Sequence, residues 1–210
     1  MRRELTTSVL AIVIFTLLLG VAYPLVMTGV GQVLWPNKAD GSQVERDGEV
    51  VGSRLIGQEF KGRRYFHSRP SVTGYSANVT FFNNLGPNNK ELRDLFRENL
   101  AAYLDRERPF NPGLQREDVP PDAVQTTASG VDPHISEANA RIQARRVAEE
   151  RGLPLERVME LVDENTDGRG LGVLGEPGVN VLELNLAVDG LERPEADRLS
   201  QNAGLDAPRR

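Results

Sequence analysis

The feature that most limits this chain lies at its N-terminus, where no charged side chain occurs between Leu5 and Asn37. In the densest part, Val9 to Val26, only Thr16, Gly20, Tyr23 and Pro24 depart from strong apolarity. A helix crossing a bilayer needs about 20 apolar residues rising about 1.5 Å each. The run therefore predicts a transmembrane helix over residues 8–30. Arg2 and Arg3 precede it, whereas Lys38, Asp40, Glu45, Arg46 and Asp47 follow as a mixed set. The positive-inside rule leaves residues 1–7 in the cytoplasm and puts everything beyond the span outside. Pro24 is expected to kink or end the regular helix. A cleaved signal peptide is the other reading, with Gly20 and Ala22 as small residues at a cleavage spacing. The apolar run exceeds the about 7–15 residues of a signal core, which favours a retained anchor.

Beyond the span the chain changes character. Over the full length, 25 Lys and Arg stand against 30 Asp and Glu, a net charge of -5. So acidic a chain has little with which to neutralise phosphates, which argues against nucleic acid as a partner. The absence of Cys removes disulfides, Cys-based zinc sites, iron–sulfur clusters and thiol nucleophiles. The length suits one domain with appendages. Residues 31–50 read as a polar connector, 51–190 as an extracytoplasmic α+β domain, and 191–210 as a mobile tail without periodicity.

Within the domain a short strand is expected around Val50 to Ile56. Ser68 to Asn89 carries few periodic positions, and a loop of about 20 residues inside a compact domain usually has a function. Leu92, Leu95, Phe96, Leu100, Tyr103 and Leu104 follow helical spacing, so Asn88 to Leu104 predicts a helix with Asn88 and Glu91 as its capping box. Pro109, Pro112, Pro120 and Pro121 make the segment from Asp105 a surface loop. Ser136 caps a second helix that runs to about Arg151 and stops at Gly152, and Pro154 opens a third. Val179 to Asp189 alternates, with Leu182, Leu184, Leu186 and Val188 on one side and Glu183 and Asn185 on the other. That pattern predicts a strand with one buried face.

Few residues suggest chemistry. Gly170, Gly172 and Gly175 match a G-x-G-x-x-G string, but they follow a helix and precede the expected strand, the reverse of a dinucleotide site, so a tight turn fits better. No P-loop string is present. Asp132, His134 and Ser136 contain parts of a hydrolase or carboxylate-rich metal site; ordering of the backbone ahead of the helix explains them more simply. Arg141, Arg145, Arg146 and Arg151, interleaved with Glu137, Glu149 and Glu150, read as a solvated helix face. Gln143 shares that helix and alone says nothing.

Taken in order, the strings are more specific than any one of them. After the single span come GSxLIGQxF (Gly52 to Phe60), YFxxRPS (Tyr65 to Ser71), NLGP (Asn84 to Pro87), DPHIS (Asp132 to Ser136), an A-x-x-Q-x-x-R-V-A helix (Ala140 to Ala148), a T-x-GRxLGxLGEP turn (Thr166 to Pro177) and VNVLxLNLAxD (Val179 to Asp189). This series resembles the C subunit of the Kdp-type potassium-transporting ATPase. Gly178 stands where that family usually has Arg, and Thr127 and Ala128 replace a Ser-Gly pair.

The resemblance implies a non-catalytic accessory subunit of an ATP-driven potassium uptake complex in the bacterial inner membrane. Its implied partners are a P-type ATPase subunit, a potassium-channel-like subunit, a small fourth subunit and membrane lipid; ATP and K+ would be handled by the complex. Family descriptions add a catalytic-chaperone role that raises the pump's ATP affinity, for which Gln143, Ser129 and Gly130 are the implied nucleotide contacts. An exported domain sits badly with that role, and assembly is the preferred mechanism. Gly20 and Ala22 would let the anchor approach partner spans closely, and Arg69, Asp132 and His134 are the candidate contacts on the domain. The competing reading is a solitary anchored enzyme or binding protein with its site at Asp132 and His134.

Overall fold

The computed structural model describes residues 2–76, 78 and 84–191. The expected tail, residues 191–210, lies outside this range except for Leu191. Contacts divide the chain into two units, one ending at Ser53 and one beginning at Arg54.

The first unit is led by helix α1, Arg2–Leu34, of 33 residues. It spans about 50 Å, more than the about 30 Å of a bilayer's hydrocarbon core, and contains the expected 8–30 span. Its apolar side chains, among them Ile12, Leu19, Leu25 and Val33, are exposed. Pro24 does not end the helix. A π-helical turn at Leu18–Ala22 comes immediately before it, with the Tyr23 N–H donating to the Leu18 carbonyl. Such a local adjustment lets a helix continue past a residue that has no N–H to donate. The helix breaks instead at Trp35, and a short helix α2, Pro36–Ala39, follows. The polar stretch expected to be a connector folds into β1 (Gln43–Arg46), and the strand expected around Val50 to Ile56 is present as β2 (Glu49–Ser53), ending at Ser53 and pairing antiparallel with β1. Asp47 and Gly48 turn between them with φ of 56° and 82°, the left-handed pair that matches hairpin twist.

Among the described residues, the second unit is built from four helices and a small sheet. Helix α3 is Lys90–Glu107, and its N-cap is Asn89, one residue later than expected, whose side chain accepts the Glu91 N–H at 2.8 Å. The helix runs three residues into the segment expected to be loop, because Tyr103, Leu104 and Glu107 are buried against the chain that follows. That chain makes two 3-10 turns, Arg116–Asp118 and Pro121–Ala123, and Leu114 and Ala123 pack with Tyr103 and Leu104 in a small cluster.

Strand β3 (His134–Ile135) leads into α4 (Glu137–Arg151), capped at Ser136, whose Oγ accepts the Asn139 N–H at 3.2 Å. Gly152 ends α4 at φ 65° in the left-handed region, as a C-terminal glycine should. Helix α5 (Leu155–Glu164) follows directly and leads into β4 (Thr166–Asp167). The glycine string turns the chain, with Gly172 and Gly175 at φ 78° and 81°, and β5 (Gly178–Asn180) returns. The sheet order is β3-β5-β4, antiparallel throughout.

The stretch expected to be one long strand is the main correction to the sequence reading. Only Gly178–Asn180 is strand; residues 181–191 form a helix, α6. Asn180 begins it by accepting the Glu183 N–H on its side-chain oxygen at 3.2 Å. Val181, Leu184, Asn185 and Val188 are all buried, and their spacing is helical. The alternation that suggests a strand coexists with this second pattern in the same string. The helical one prevails because the face is completed by a polar residue, Asn185. The main core joins α4, α5 and α6 over β5, through Ala140, Ala144, Val147, Val158, Val162, Val179, Leu184 and Val188 with Phe66 beneath them. Burying a large aliphatic or aromatic side chain contributes about 1.5–3 kcal/mol, so this cluster sets where every polar group below can sit.

Candidate functional site

Two polar clusters draw on the residues singled out above. The first lies inside the domain. Residues 63–67 have no ladder of their own, and their backbone is held by side chains from two helices. The Gln143 carboxamide of α4 clamps His67, accepting its N–H at 2.8 Å and donating Nε2 to its carbonyl at 3.1 Å. The Asn185 carboxamide of α6 does the same for Phe66, at 2.8 and 3.0 Å. Arg146 Nη1 donates to the Arg63 and Tyr65 carbonyls, and Arg151 Nε donates to that of Arg64. A segment that turns at Arg63 and Arg64 is thereby paired without a neighbouring strand, as buried backbone requires.

The same side chains bond to one another. Arg146 is fully buried, and its Nε is shared between both oxygens of the equally buried Glu107 at 3.0 Å each. Its Nη2 donates to Gln143 Oε1 at 3.0 Å. Gln143 Nε2 also reaches Asn139 Oδ1, which accepts from the Tyr103 hydroxyl, both at 2.9 Å. Asn139 and Ser136 in turn donate to Asp122. Burial, partly offset by Glu107, lowers the Arg146 pKa; burial and then the Glu107 charge raise that of Tyr103. Arg146 and Arg151 therefore leave the solvated face expected of them, while Arg141 and Arg145 stay exposed on it.

A cavity of about 410 Å³ opens beside this network, with Gln143, His67, Tyr75, Tyr103 and Arg106 on its wall. His67 is pushed down to about 4, first by burial and then by the Arg106 charge, while its bond to the Gly62 carbonyl opposes the shift. Burial and then Glu59 push Tyr75 up to about 12. Glu107 and Asn139 carry no signal in the sequence, Arg146 reads there as part of a solvated face, and Asn185 as the outer side of a strand. The one available signal was polar residues at buried helical positions, and that requires knowing the partner elements.

Ser129 and Gly130 lie elsewhere. The exposed Ser129 accepts the Val131 N–H at 3.2 Å. Gly130 sits at φ 75°, and a Cβ there would run into Thr73. Its carbonyl accepts the Ser71 hydroxyl at 2.6 Å. Neither residue lines the cavity beside Gln143, so the implied nucleotide contacts are not gathered around one pocket. Gly20 and Ala22 fall within the π-helical turn of α1.

The second cluster surrounds β3 and brings together Arg69, Asp132 and His134. Arg69 Nη1 donates to Asp132 Oδ2 at 2.9 Å, and Asp132 Oδ1 accepts the His134 N–H at 3.0 Å. His134 Nε2 lies 3.2 Å from Asp167 Oδ2 on β4, an addition the sequence did not suggest. Asp132 thus orders the backbone ahead of α4, as expected. Gly57 fits closely here: its N–H donates to the Val131 carbonyl at 2.7 Å and a Cβ would strike the Asp132 backbone. A shallow cavity of about 330 Å³ adjoins these residues. Among the described residues no group of His, Asp and Glu is placed to hold a metal ion, and Ser136 Oγ donates to Asp122, not to a histidine.

The class of protein defined by these features is a mixed helix and sheet domain carried behind one helix apolar enough to cross a membrane. The profile of the KdpC family, described as "K+-transporting ATPase, c chain", matches residues 5–190. A potassium-transporting ATPase KdpC subunit from Rhodospirillum rubrum is 51% identical over 191 residues, covering 90% of this chain and 96% of its own. Proteins of the same name from Koribacter versatilis and Mycobacterium tuberculosis H37Rv are 45% and 46% identical, over 91% of this chain in both cases and 97% and 100% of their own lengths. The chain belongs to the KdpC family, the c chain of the K+-transporting ATPase.

Proposed function

We propose that the chain is the non-catalytic accessory subunit of an ATP-driven potassium uptake complex. In this reading it holds together a P-type ATPase subunit, a potassium-channel-like subunit and a small fourth subunit. The observation that carries the proposal is helix α1, whose apolar side chains are exposed along its length and require lipid or partner spans to cover them. Gly20 and Ala22 provide the site of closest approach. By the distribution of Arg2 and Arg3 against the mixed charges after Asn37, the N-terminus is cytoplasmic, the chain crosses the inner membrane once, and the domain faces outward. Arg69, Asp132 and His134 form a polar rim available to partners.

Assembly is favoured over nucleotide handling because the Gln143 carboxamide is already committed within the chain. Its nitrogen donates twice and its oxygen accepts twice, which fills the capacity of an amide side chain. ATP and K+ are then handled by the complex, with this chain setting the geometry of its partners.

The test is affinity purification of the tagged full-length chain from potassium-starved cells in mild detergent, with a potassium-stimulated ATPase assay. Stoichiometric recovery of a P-type pump and a polytopic channel-like protein, active only while this chain is present, is expected. Recovery of the chain alone from cells expressing those partners would overturn the reading. Orientation is tested separately through the absence of Cys. Lys61→Cys, at a side chain 81% exposed, should react with a membrane-impermeant maleimide in intact spheroplasts, and reaction only after lysis would place the domain inside.

A further inference from the structure

The cavity beside Gln143 contains a guanidinium edge that the buried network does not use. Glu107 and Arg146 already balance each other, one carboxylate against one guanidinium. Arg106 adds a second cation to the same carboxylate, with its Nε donating to Glu107 Oε1 at 2.9 Å. Its Cζ lies 5.4 Å from the centre of the Tyr103 ring. The Nη edge makes no hydrogen bond to the described residues, and the side chain, 28% exposed, lines the cavity. The other charged groups on the wall, Glu59 and Lys61, pair with each other at 3.2 Å. Among the described residues, the cavity is left with one surplus positive charge in a chain whose net charge is -5.

The shape and lining narrow the occupant. A volume of about 410 Å³ falls in the range of about 300–1,000 Å³ typical of small-molecule sites. Phe60, Tyr75 and Tyr103 supply aromatic wall, and the open guanidinium edge presents two parallel donors, the geometry that matches a carboxylate. One surplus charge suits a monoanion and is poorly matched to the several charges of a nucleoside triphosphate. We propose that this cavity binds a carboxylate group through the free Nη edge of Arg106, with the apolar body of the ligand against Phe60, Tyr75 and Tyr103. The carboxylate belongs either to a free small acid or to an acidic side chain of a partner subunit.

Benzoate is the probe, titrated into the full-length chain in detergent and followed by saturation-transfer NMR. Saturable binding is expected, weakened roughly tenfold or more in Arg106→Gln, in keeping with loss of a charge-assisted bidentate pair. Ala102→Phe is the second variant: Ala102 lies on the cavity wall at an exposed position of α3, away from the Glu107 pair, and the larger side chain should block benzoate without disturbing that pair. Absence of saturable binding would overturn the proposal. So would binding unchanged in both variants, or ATP displacing benzoate at lower concentration than benzoate binds. Repeating the titration on the assembled complex separates the two sources. Retained binding marks a free acid, and binding seen in the isolated chain but lost in the complex marks a partner's carboxylate.

Discussion

The two polar clusters are similar in composition and opposite in circumstance. The Gln143 network is sealed, with Glu107, Arg146, Gln143, Asn139 and Asn185 all at most 2% exposed, and each polar group is paired with backbone or with another member. The rim around Asp132 and His134 is half open, with side chains 25–37% exposed for Arg69, Asp132 and His134 and 58% for Asp167. Solvent can replace a lost partner at the rim but not in the network, so equivalent substitutions should have very different consequences. The rim leaves its side chains partly open to solvent, whereas the network holds residues 63–67 in place between α4 and α6.

The largest effect is expected from Arg146→Met. It removes the buried partner of Glu107, leaving only the partly exposed Arg106 against that carboxylate, and frees the Arg63 and Tyr65 carbonyls, a loss of about 3–5 kcal/mol by the usual cost of breaking a buried pair. Chemical denaturation of the full chain in detergent, followed by near-ultraviolet circular dichroism of its tyrosines, should register it; a loss below about 1 kcal/mol would mean the pair is not sealed as described. Asn185→Leu comes next. It strands the N–H and carbonyl of Phe66, at about 1–3 kcal/mol for an unsatisfied buried group, read by the same unfolding curve.

A smaller effect comes from pH. His67, held down to about 4, stays neutral in the folded chain while the unfolded chain takes up a proton near the ordinary value of about 6.5. Its contribution is present above about pH 6.5 and is lost as pH falls from there toward about 4. The drop in unfolding midpoint between pH 7.5 and pH 5 should therefore be smaller in His67→Gln than in the unmodified chain, and an identical drop would contradict the assignment. The smallest effect is expected from His134→Ala, within about 1 kcal/mol, as for other partly exposed surface contacts, with potassium-stimulated ATPase activity retained. Loss of that activity in a stable variant would make the rim more than an accessory surface.

What the sequence disclosed follows the same division. Features set by neighbours in the chain were legible: the Ser136 cap and Gly152 stop of α4, the turn made by Gly172 and Gly175, and the ordering of the backbone by Asp132. The network was not, because the burial of Arg146 depends on Glu107, 39 residues away, and that of Asn185 on Phe66, 119 away. Pattern reading assigns such residues to solvent by default. It did so for Arg146 on α4, and for Asn185 it also produced the wrong element, since counting that residue as outward-facing is what made α6 look like a strand. Of the hairpin at Asp47 and Gly48, β2 is legible as the strand expected around Val50 to Ile56, whereas β1 is short and polar and carries little hydrophobic pattern.

Gln143 braces the backbone of His67, and under the proposed assembly role it does not contact nucleotide. Gln143→Leu in the assembled complex, measured for both its unfolding midpoint and the apparent KM for ATP, tests it directly. A lowered midpoint with an unchanged KM in the complex that remains folded is the predicted result. An unchanged midpoint with a KM raised severalfold would contradict it and make Gln143 part of a nucleotide site.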